Sequence, residues 1–235
     1  MVIGRGLIAQ AFQRYTDNKN VLMFASGTSS SKFCTPYDCL REEKLLREFL
    51  DKCSNEILFV YFSSCSIASS NLTHDVYHTH KKKMEDIIRT DAKIYTIFRL
   101  PNVVGPIVNL DTLFYYLVDK VLEKKEFDLW TGAKRNIIDI DDAAKIINHI
   151  VDNNLFLNET VNVANLNDVT VDEIVNEISK YLSIDVKFSI VEYNDSYYID
   201  LIKIKPIVRE LGLDFNLNYL QIITKKYIAT RNLNK

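Results

Sequence analysis

The stretch Ile57-Leu58-Phe59-Val60-Tyr61-Phe62-Ser63-Ser64 decides the fold of this chain. Its unbroken apolar run is typical of a strand buried on both faces of a parallel sheet. The run ends in two serines, and the segment Tyr77-His78-Thr79-His80-Lys81 follows downstream. Because residues four positions apart share one face of a helix, Tyr77 and Lys81 are predicted to lie side by side there.

Ser64, Tyr77 and Lys81 are the candidate catalytic residues, because together they can move a proton at a carbinol or carbonyl. The Lys81 ammonium is expected to lower the pKa of the Tyr77 phenol from its ordinary value near ~10. Ser64 would hold a substrate oxygen within reach of that phenol. Such proton transfer is usually coupled to hydride transfer by a nicotinamide. Taken alone, the Tyr-x-x-x-Lys pair is a weak signal, and an exposed helix face is then the favoured interpretation.

The opening residues Met1-Val2-Ile3-Gly4-Arg5-Gly6-Leu7-Ile8-Ala9 have the pattern of a dinucleotide-binding loop. Gly4 and Gly6 would permit a tight turn and a close approach of the backbone to a pyrophosphate. Ala9 would let the following helix pack on the strand. Arg5 either contacts a phosphate or is solvated, and a purely structural turn is the alternative for the loop as a whole.

Apolar runs and amphipathic helical patterns alternate along the chain. Strands are predicted at about 21–25, 57–62, 94–98, 127–130, 160–164 and 185–191. Helices are predicted at about 6–16, 40–53, 76–90, 109–124, 140–152, 170–182, 200–211 and 216–230. This alternation predicts an α/β fold with a parallel sheet and right-handed crossovers. Thr170 and Glu173 are placed to form a capping box.

Composition excludes several classes of function. The 235 residues carry a formal net charge of −2 and are 47% hydrophobic, which favours one domain with two lobes and disfavours a nucleic-acid binder. No apolar run approaches the ~20 residues of a membrane span, and no signal peptide is recognised, so a cytoplasmic location is expected. No metal site is expected, because His78 and His80 are interpreted as helix-surface residues. The cysteines lack zinc spacing and are expected to be free thiols: Cys34, Cys39, Cys53 and Cys65.

Six segments in a fixed order resemble the extended short-chain dehydrogenase/reductases, the sugar-nucleotide epimerase/dehydratase group. They are Gly4–Ala9, Phe59–Ile67, Tyr77–Lys81, Arg99–Pro106, Arg135–Asp142 and Val161–Glu173. The resemblance implies a Rossmann-like parallel sheet flanked by helices, with a small C-terminal substrate lobe. Residues 1–106 would form the dinucleotide-binding lobe, with 135–165 returning to it, and residues 107–235 would form mainly the substrate lobe.

The resemblance also implies a cofactor, NAD or NADP, and a nucleotide-sugar substrate. Its cofactor contacts would be Gly4, Arg5, Gly6, Leu7, Ile8, Ala25, Ser26, Gly27, Ser63, Tyr77, Lys81 and Leu100. Its substrate contacts would be Ser64, Cys65, Ser66, Asn102 and Arg135.

Arg135 matches the family arginine that grips the diphosphate, a role that suits a guanidinium fork. The alternative is a structural ion pair of Arg135 with Asp139, Asp141 or Asp142. Asp142 itself is expected to cap the helix that begins near it. Helices 40–53 and 76–90 match those that pair across the family's homodimer interface, so a homodimer is implied by analogy.

The interval between Gly4 and Tyr77 is much shorter than the resemblance implies. The strand at Val21 is either the second Rossmann strand, which normally ends in an acidic residue, or the family's fourth strand. Its end reads Ala25-Ser26-Gly27-Thr28-Ser29 without a carboxylate, and the next helix leads straight into the serine strand. The second interpretation is therefore favoured, with two family strands missing, and the choice between NAD and NADP stays open.

The residues after Ser64 restrict the chemistry. Sugar dehydratases of the family carry an Asp–Glu pair where this chain has Cys65 and Ser66. Dehydration is therefore disfavoured, which leaves hydride transfer at C4, either by a 4-ketoreductase or by a 4-epimerase, for a surface polysaccharide such as lipopolysaccharide. A packing role for Cys65 is favoured over a role in 3,5-epimerisation. The alternatives are a non-catalytic scaffold or regulatory protein and a reductase of a small non-nucleotide carbonyl.

Overall fold

The computed structural model describes residues 1–28, 34–69, 75–124, 126–192 and 196–232, with the backbone alone from residue 230. Ser29, the last residue of the segment Ala25–Ser29, lies outside the described residues. The elements of the N-terminal half are β1 (Val2–Ile3), α1 (Leu7–Ala11), β2 (Val21–Phe24), α2 (Pro36–Lys52), β3 (Leu58–Ser64), α3 (Val76–Asp91), β4 (Tyr95–Leu100) and β5 (Asn102–Val104). Short 3-10 helices cover Gln13–Tyr15 and Cys65–Ala68.

The C-terminal half continues with further helices and short strands. They are α4 (Leu113–Glu123), β6 (Phe127–Thr131), β7 (Lys134–Arg135), β8 (Ile137–Asp139), α5 (Ile140–Asp152), β9 (Glu159–Asn162), β10 (Val169–Thr170), α6 (Val171–Leu182), β11 (Phe188–Glu192), α7 (Lys205–Glu210) and α8 (Tyr219–Asn232).

A five-stranded parallel sheet forms the centre of the fold. Its strand order is β1-β2-β3-β4-β9, with Met23 opposite Val60 and Tyr61 opposite Ile97. Strand β2 is buried throughout and β3 is buried up to Ser63 because helices cover both faces, which explains why their sequences are continuous apolar runs. The predicted α/β fold with a parallel sheet is therefore confirmed.

The two faces of the sheet support separate hydrophobic layers. Residues such as Leu22 and Tyr61 pack with Leu46 of α2 and Ile88 of α3 on one face. Their neighbours along the strands point the other way, and Phe62 stacks on Phe12 at the end of α1. This second layer extends without a break through α5 into α4, α6 and α8, so both halves of the chain share one core.

The position of β2 identifies it within the fold. In a doubly wound sheet the second strand lies on the far side of the first strand, away from the fourth. Here β2 lies between β1 and β3, and β1 is at the edge of the described sheet. Strand β2 therefore corresponds to the fourth strand, and the interpretation as the second strand is wrong. Within the described residues no strand lies beyond β1, where the second and third strands of a doubly wound sheet would pair.

The first strand connection differs in hand from the next two. Each of the connections β1–α1–β2, β2–α2–β3 and β3–α3–β4 moves to the neighbouring strand in the same direction. Helix α1, however, packs on the face opposite to α2 and α3. Connections that move the same way over opposite faces have opposite hands, so the expectation of uniformly right-handed crossovers is wrong. The loss of the second and third strands explains the difference in hand. Helix α1 packs on the face that it would cover in a complete sheet, but the strand that follows it, β2, lies on the opposite side of β1 from a normal second strand.

Three small sheets lie in the C-terminal half. Strands β5 and β8 pair in parallel, β6 and β11 pair in parallel, and β7 and β10 pair antiparallel. Helix α6 packs between α4 and α8. The capping box of Thr170 and Glu173 at the start of α6 is confirmed.

Several predicted boundaries differ from the structure. The predicted helix 6–16 is the five-residue α1 followed by a 3-10 turn, and the helix predicted over 109–124 begins at Leu113. Asp142 does not cap α5; Asp139 does, with its Oδ1 accepting the Asp141 backbone N–H at 2.8 Å. All four cysteines are free, as predicted. None of the described helices is long and apolar enough to cross a membrane.

We expect Asp139→Ala to destabilise the fold, because this buried carboxylate caps α5 and also fastens α8. It accepts hydrogen bonds from Tyr227 Oη and Lys226 Nζ, both at 2.7 Å. Loss of the cap and of the Tyr227 partner should lower the free energy of unfolding by about 2–4 kcal/mol in urea denaturation. Asp141→Ala is the control, since the Asp141 side chain is 63% exposed, and it should cost less than ~1 kcal/mol. Equal losses in the two variants would contradict this role of Asp139.

Candidate active site

The candidate site lies at the carboxyl ends of the central strands, where ligands of open α/β sheets generally bind. Ser64 ends β3 and lies opposite Leu100, which ends β4. Gly4 follows β1, and Ala25 follows β2. The sheet therefore brings most of the sequence-predicted residues of the dinucleotide loop and the serine strand to one edge.

Tyr77 stands in the first turn of α3. The N-cap of this helix is Asp75, whose Oδ1 accepts the Tyr77 backbone N–H at 2.6 Å. One turn later, Lys81 Nζ lies 5.8 Å from the centre of the Tyr77 ring. Ser64, at the end of β3, is close enough to the Tyr77 phenol to lower its pKa. The structure therefore brings the three candidate catalytic residues together.

The Tyr77 phenol is buried, with only 8% of the residue exposed. Burial raises its pKa above the ordinary value, and the nearby Lys81 ammonium and Ser64 hydroxyl offset only part of that rise. The expectation of a net lowered pKa is therefore wrong for this state of the protein. Lys81 lowers the pKa of Tyr77, as expected, but the loss of water around the phenol raises it by more.

Lys81 is buried to 2% exposure and has partners that the sequence analysis missed. Its Nζ donates to Glu42 Oε1 at 3.0 Å and to Tyr61 Oη at 3.1 Å. Glu42 is on α2 and Tyr61 is inside β3, so the ion pair joins the sheet to the two helices on one face. A buried charge of this kind is tolerated only because it is paired and hydrogen-bonded.

Glu42 is fully buried and accepts hydrogen bonds from several directions. Besides Lys81, its donors are the Thr28 backbone N–H at 2.8 Å, Tyr61 Oη at 2.7 Å and His80 Nε2 at 3.0 Å. Burial alone would raise the pKa of Glu42, but the Lys81 ammonium and these hydrogen bonds outweigh it and hold the pKa well below its ordinary range. The carboxylate is therefore charged in the folded protein.

A local signal for Glu42 existed in the sequence. Glu42, Leu46 and Leu50 are four residues apart on α2, and all three are buried. A glutamate in register with two core leucines is predicted to point inward. Periodicity does not reveal its partner, because Lys81 comes from another helix.

Both histidines of the Tyr77 segment are buried, so their interpretation as surface residues is wrong. His80 contacts Glu42, and His78 Nε2 lies 2.8 Å from Ser66 Oγ. The reason is that α3 packs against α2, the sheet and the 3-10 helix Cys65–Ala68, which together cover more of α3 than a single apolar stripe requires.

Gly4, the first glycine of the loop, has the backbone conformation and close contact expected at this position. Gly4 has φ +130°, and a Cβ there would overlap the Ala25 carbonyl oxygen, so only glycine fits. Gly6 caps α1 in extended conformation, and a Cβ there would meet no atom within 4 Å. The Arg5 side chain is exposed. Leu7 and Ile8 are partly buried, and with only five residues α1 offers a weaker dipole than a long helix.

Gly27 connects the glycine loop to the catalytic residues. A Cβ on Gly27 would lie 2.6 Å from Lys81 Nζ and 2.9 Å from Glu42 Oε1. The loop that begins at Ala25 therefore contacts Gly4 at its start and passes directly over Lys81. Ser26 is partly buried and lies in this loop between Ala25 and Gly27.

The residues after Ser64 divide into a packing group and a polar group. Ser63 and Cys65 are buried, and the Cys65 thiol donates to the Arg99 carbonyl at 3.2 Å. Burial raises the pKa of Cys65, so the group stays a neutral thiol. This placement fits the packing interpretation and gives no support to a substrate contact. Ser66 is partly exposed, and its Oγ lies 2.7 Å from Ser64 Oγ.

Asn102 and Arg135 lie on β5 and β7, outside the five-stranded sheet that carries Ser64. The Asn102 amide donates to the Asn136 carbonyl at 3.0 Å, which joins β5 to the segment before β8. Arg135 Nη1 donates to the Lys134 carbonyl at 2.8 Å. Lys226 and Lys145 pair with the carboxylates proposed as partners of Arg135, namely Asp139, Asp141 and Asp142.

Comparison with known proteins places these features in a family. The sequence profile of the NAD dependent epimerase/dehydratase family matches residues 45–164. No curated protein sequence matches the chain.

Solved structures with a similar fold are distant in sequence. A dTDP-glucose 4,6-dehydratase from Bacillus anthracis in complex with NAD has a TM-score of 0.71 at 15% identity, over 97% of this chain and 78% of that chain. A UDP-N-acetylglucosamine 4-epimerase from Methanobrevibacter ruminantium has a TM-score of 0.69 at 16% identity, over 93% and 78%. A UDP-glucuronic acid 4-epimerase from Bacillus cereus has a TM-score of 0.69 at 15% identity, over 95% and 78%. At these identities the similarity establishes the fold.

We expect Lys81→Met to destabilise the protein strongly, because it leaves the Glu42 carboxylate buried without its cation. Breaking a buried pair on one side typically costs about 3–5 kcal/mol in the free energy of unfolding. Glu42→Gln combined with Lys81→Met should lose less than Lys81→Met alone, since no unpaired charge remains. Chemical denaturation of the single and double variants measures the difference.

Lys83→Met is the matched control, because Lys83 pairs with Glu43 at 2.6 Å but is 56% exposed. It should cost less than about 1 kcal/mol. Since the folded pKa of Glu42 is depressed, its stabilisation is present above the unfolded value near ~4.3 and is lost as the pH falls below it. Glu42→Gln should flatten that acid limb of the stability curve. If Lys81→Met and Lys83→Met lose the same stability, the buried pair does not have this importance.

Gly4→Ala should destabilise the fold while Gly6→Ala should not. The strained backbone at residue 4 would cost about 1–3 kcal/mol, and the overlap with Ala25 would add to it. At Gly6 the φ of −76° suits any residue, so the cost should stay below about 1 kcal/mol. Thermal unfolding of the two variants tests this, and equal shifts in Tm would show that Gly4 is not structurally required.

Proposed function

The chain belongs to the NAD dependent epimerase/dehydratase family, and we propose that it transfers a hydride at C4 of a nucleotide sugar, with NAD or NADP as cofactor. The observation that carries the proposal is the Tyr77 phenol, which lies beside Ser64 and has the Lys81 ammonium 5.8 Å from its ring centre, at the carboxyl end of the sheet. A bound nicotinamide would supply or accept the hydride.

In this proposal the side chains of the site handle the proton and the orientation. Ser64 holds the C4 oxygen, and Tyr77 gives it a proton during reduction or takes one during oxidation. The raised pKa keeps the Tyr77 phenol protonated at neutral pH, which is the form that donates to a ketone. Lys81 stabilises the phenolate that remains. These points favour a 4-ketoreductase, and a 4-epimerase uses the same groups in both directions.

The glycine loop fits the pyrophosphate of a dinucleotide. The close approach of Gly4 to Ala25 and the open space beside Gly6 match the requirements for such a loop. Gly4, Gly6 and the Ala25–Gly27 loop would hold the cofactor beside Lys81. No acidic residue follows β2 and no described strand lies beyond β1, so the adenosine half would have little support. These features do not distinguish NAD from NADP.

The finer assignments follow the same proposal. Residues 107–235 would form mainly the substrate lobe, with Asn102 and Arg135 facing the sugar diphosphate. The positions after Ser64 hold no carboxylic acid, which disfavours dehydration. The product would serve a surface polysaccharide, the enzyme would act in the cytoplasm, and α2 and α3 would pair in a homodimer.

A second candidate function is a non-catalytic binding or regulatory protein with this fold. One observation favours it, namely that Lys81 is held by Glu42 and Tyr61 and is nearly inaccessible. Catalysis requires that the Gly27 loop move away from Lys81 when a cofactor binds. The two functions therefore differ in whether nicotinamide cofactors bind at all.

Tyr77→Phe should fold normally and lose turnover by about 10²–10⁴-fold, because the proton donor is absent. Turnover would be followed with NADH and NADPH on a dTDP-4-keto-6-deoxy sugar, and with NAD and NADP on UDP-glucose, UDP-glucuronic acid and UDP-N-acetylglucosamine. Tyr37→Phe is the control, since Tyr37 is a largely exposed tyrosine on α2. Unchanged turnover in Tyr77→Phe would refute the catalytic role, and the absence of cofactor binding at millimolar concentration would favour the non-catalytic alternative.

A further inference from the structure

A line of hydrogen bonds leads from Ser64, the serine next to Tyr77, to a buried histidine. Ser64 is close enough to the Tyr77 phenol to influence its pKa, and Ser64 Oγ lies 2.7 Å from Ser66 Oγ. Ser66 Oγ in turn lies 2.8 Å from His78 Nε2. Both distances are within the range of good hydrogen bonds, so Ser64, Ser66 and His78 form a continuous line beside the phenol.

Local geometry explains how this path is built. The 3-10 helix Cys65–Ala68 begins directly after β3, with Ser64 as its N-cap accepting the Ser66 backbone N–H at 3.2 Å. This turn places the two serine hydroxyls side by side. His78 follows Tyr77 on α3, and the next position of a helix points about 100° away, toward the 3-10 helix packed beside α3.

His78 is placed to accept a proton. Its Nδ1 lies 3.6 Å from Asp75 Oδ1, beyond hydrogen-bonding distance, and has no hydrogen-bond partner within the described residues. The carboxylate favours a proton on Nδ1, which leaves Nε2 as an acceptor toward Ser66. Burial lowers the pKa of His78, Asp75 raises it and Lys82 lowers it, so the resting imidazole is neutral.

Lys81 cannot take this role. Its ammonium is paired with Glu42 at 3.0 Å and has no lone pair, so it stabilises a phenolate but accepts no proton. A proton that reaches the buried Tyr77 therefore needs another acceptor connected to the phenol.

We propose that Ser66 and His78 form a proton relay behind Tyr77, an inference that rests on the proposed function. During oxidation of a C4 hydroxyl, the carbon gives its hydride to the nicotinamide and the oxygen gives its proton to Tyr77. Tyr77 passes its own proton to Ser64, Ser64 passes one to Ser66, and Ser66 passes one to His78 Nε2. The tyrosine and both serines are regenerated, and the imidazolium is stabilised by Asp75. Reduction runs the same path in reverse.

A test that needs no substrate is the ¹⁵N spectrum of the histidine side chains. The chain has four histidines, so assignment with a His78→Gln variant is direct. The parent should show His78 with its proton on Nδ1 and a hydrogen-bonded Nε2. Ser66→Ala should shift that Nε2 resonance, and Ser66→Thr should keep it. A parent His78 with its proton on Nε2 would overturn the relay, because such a nitrogen donates to Ser66 and accepts nothing.

Kinetics test the relay in the working enzyme. In the oxidative direction the rate should fall as the pH drops through the pKa of His78, because the imidazolium accepts no proton. Ser66→Ala should lower kcat by roughly 10–100-fold with little change in KM or cofactor affinity, and should remove this acid limb. Ser66→Thr should restore both, and His149→Gln, a partly exposed histidine on α5, is the control.

The failure of the relay and the failure of the proposed function have different signatures. If Tyr77→Phe keeps full turnover, or the parent binds no nicotinamide cofactor, the proposed function is wrong. The relay is then wrong as well, because no proton is released at Tyr77. If Tyr77→Phe is inactive while Ser66→Ala folds and keeps the parent rate and pH profile, the relay alone is wrong. Circular dichroism of each variant confirms that the comparison is between folded proteins.

Discussion

The buried ion pair between Glu42 and Lys81 is the interaction on which the rest of the site depends. It joins α2, α3 and β3, and through Thr28 it also fixes the loop that follows β2. Because both charges are out of water, the pair is stable only while every hydrogen bond around it is formed. The same pair sets the position of Lys81 beside Tyr77. Folding and the proposed chemistry therefore share one electrostatic centre.

This arrangement creates a tension between stability and function. The lysine that would serve a cofactor is already satisfied by a carboxylate, and Gly27 lies against it. A cofactor must therefore compete with interactions within the chain, and part of its binding energy would be used to open the loop. The short sheet adds to this cost, because none of the described strands lies beyond β1, on the side where an adenosine would rest. Weak cofactor affinity with an intact proton-transfer apparatus is the expected result.

The missing strands also explain the unusual first connection of the sheet. Helix α1 packs on one face, as it would in a complete doubly wound sheet, yet the chain then enters the sheet on the other side of β1. The short interval between Gly4 and Tyr77 predicted the loss of these strands. It did not predict the reversed hand, because spacing in a sequence counts residues and does not say on which face a helix lies.

Sequence patterns predicted the features that depend on residues close together in the chain. The apolar run ending at Ser64, the Tyr77–Lys81 spacing and Gly4 gave the sheet, the helix face and the strained turn correctly. They could not give the pKa of Tyr77, since that depends on how much of the chain covers it. They also missed Glu42 and His78, whose partners come from other elements. Glu42 is in register with Leu46 and Leu50, so its burial could be predicted from the sequence. Its pairing with Lys81, which comes from another helix, could not.

The most direct test of hydride transfer is the near-ultraviolet absorbance of the nicotinamide when the cofactor-loaded chain is mixed with nucleotide sugars. Hydride transfer at C4 predicts a change in absorbance that depends on Tyr77. The change should last for a reductase and be transient for an epimerase. A nucleotide sugar that binds to the loaded protein while the nicotinamide absorbance stays constant, for every sugar in the panel and for its 4-keto form, would contradict it.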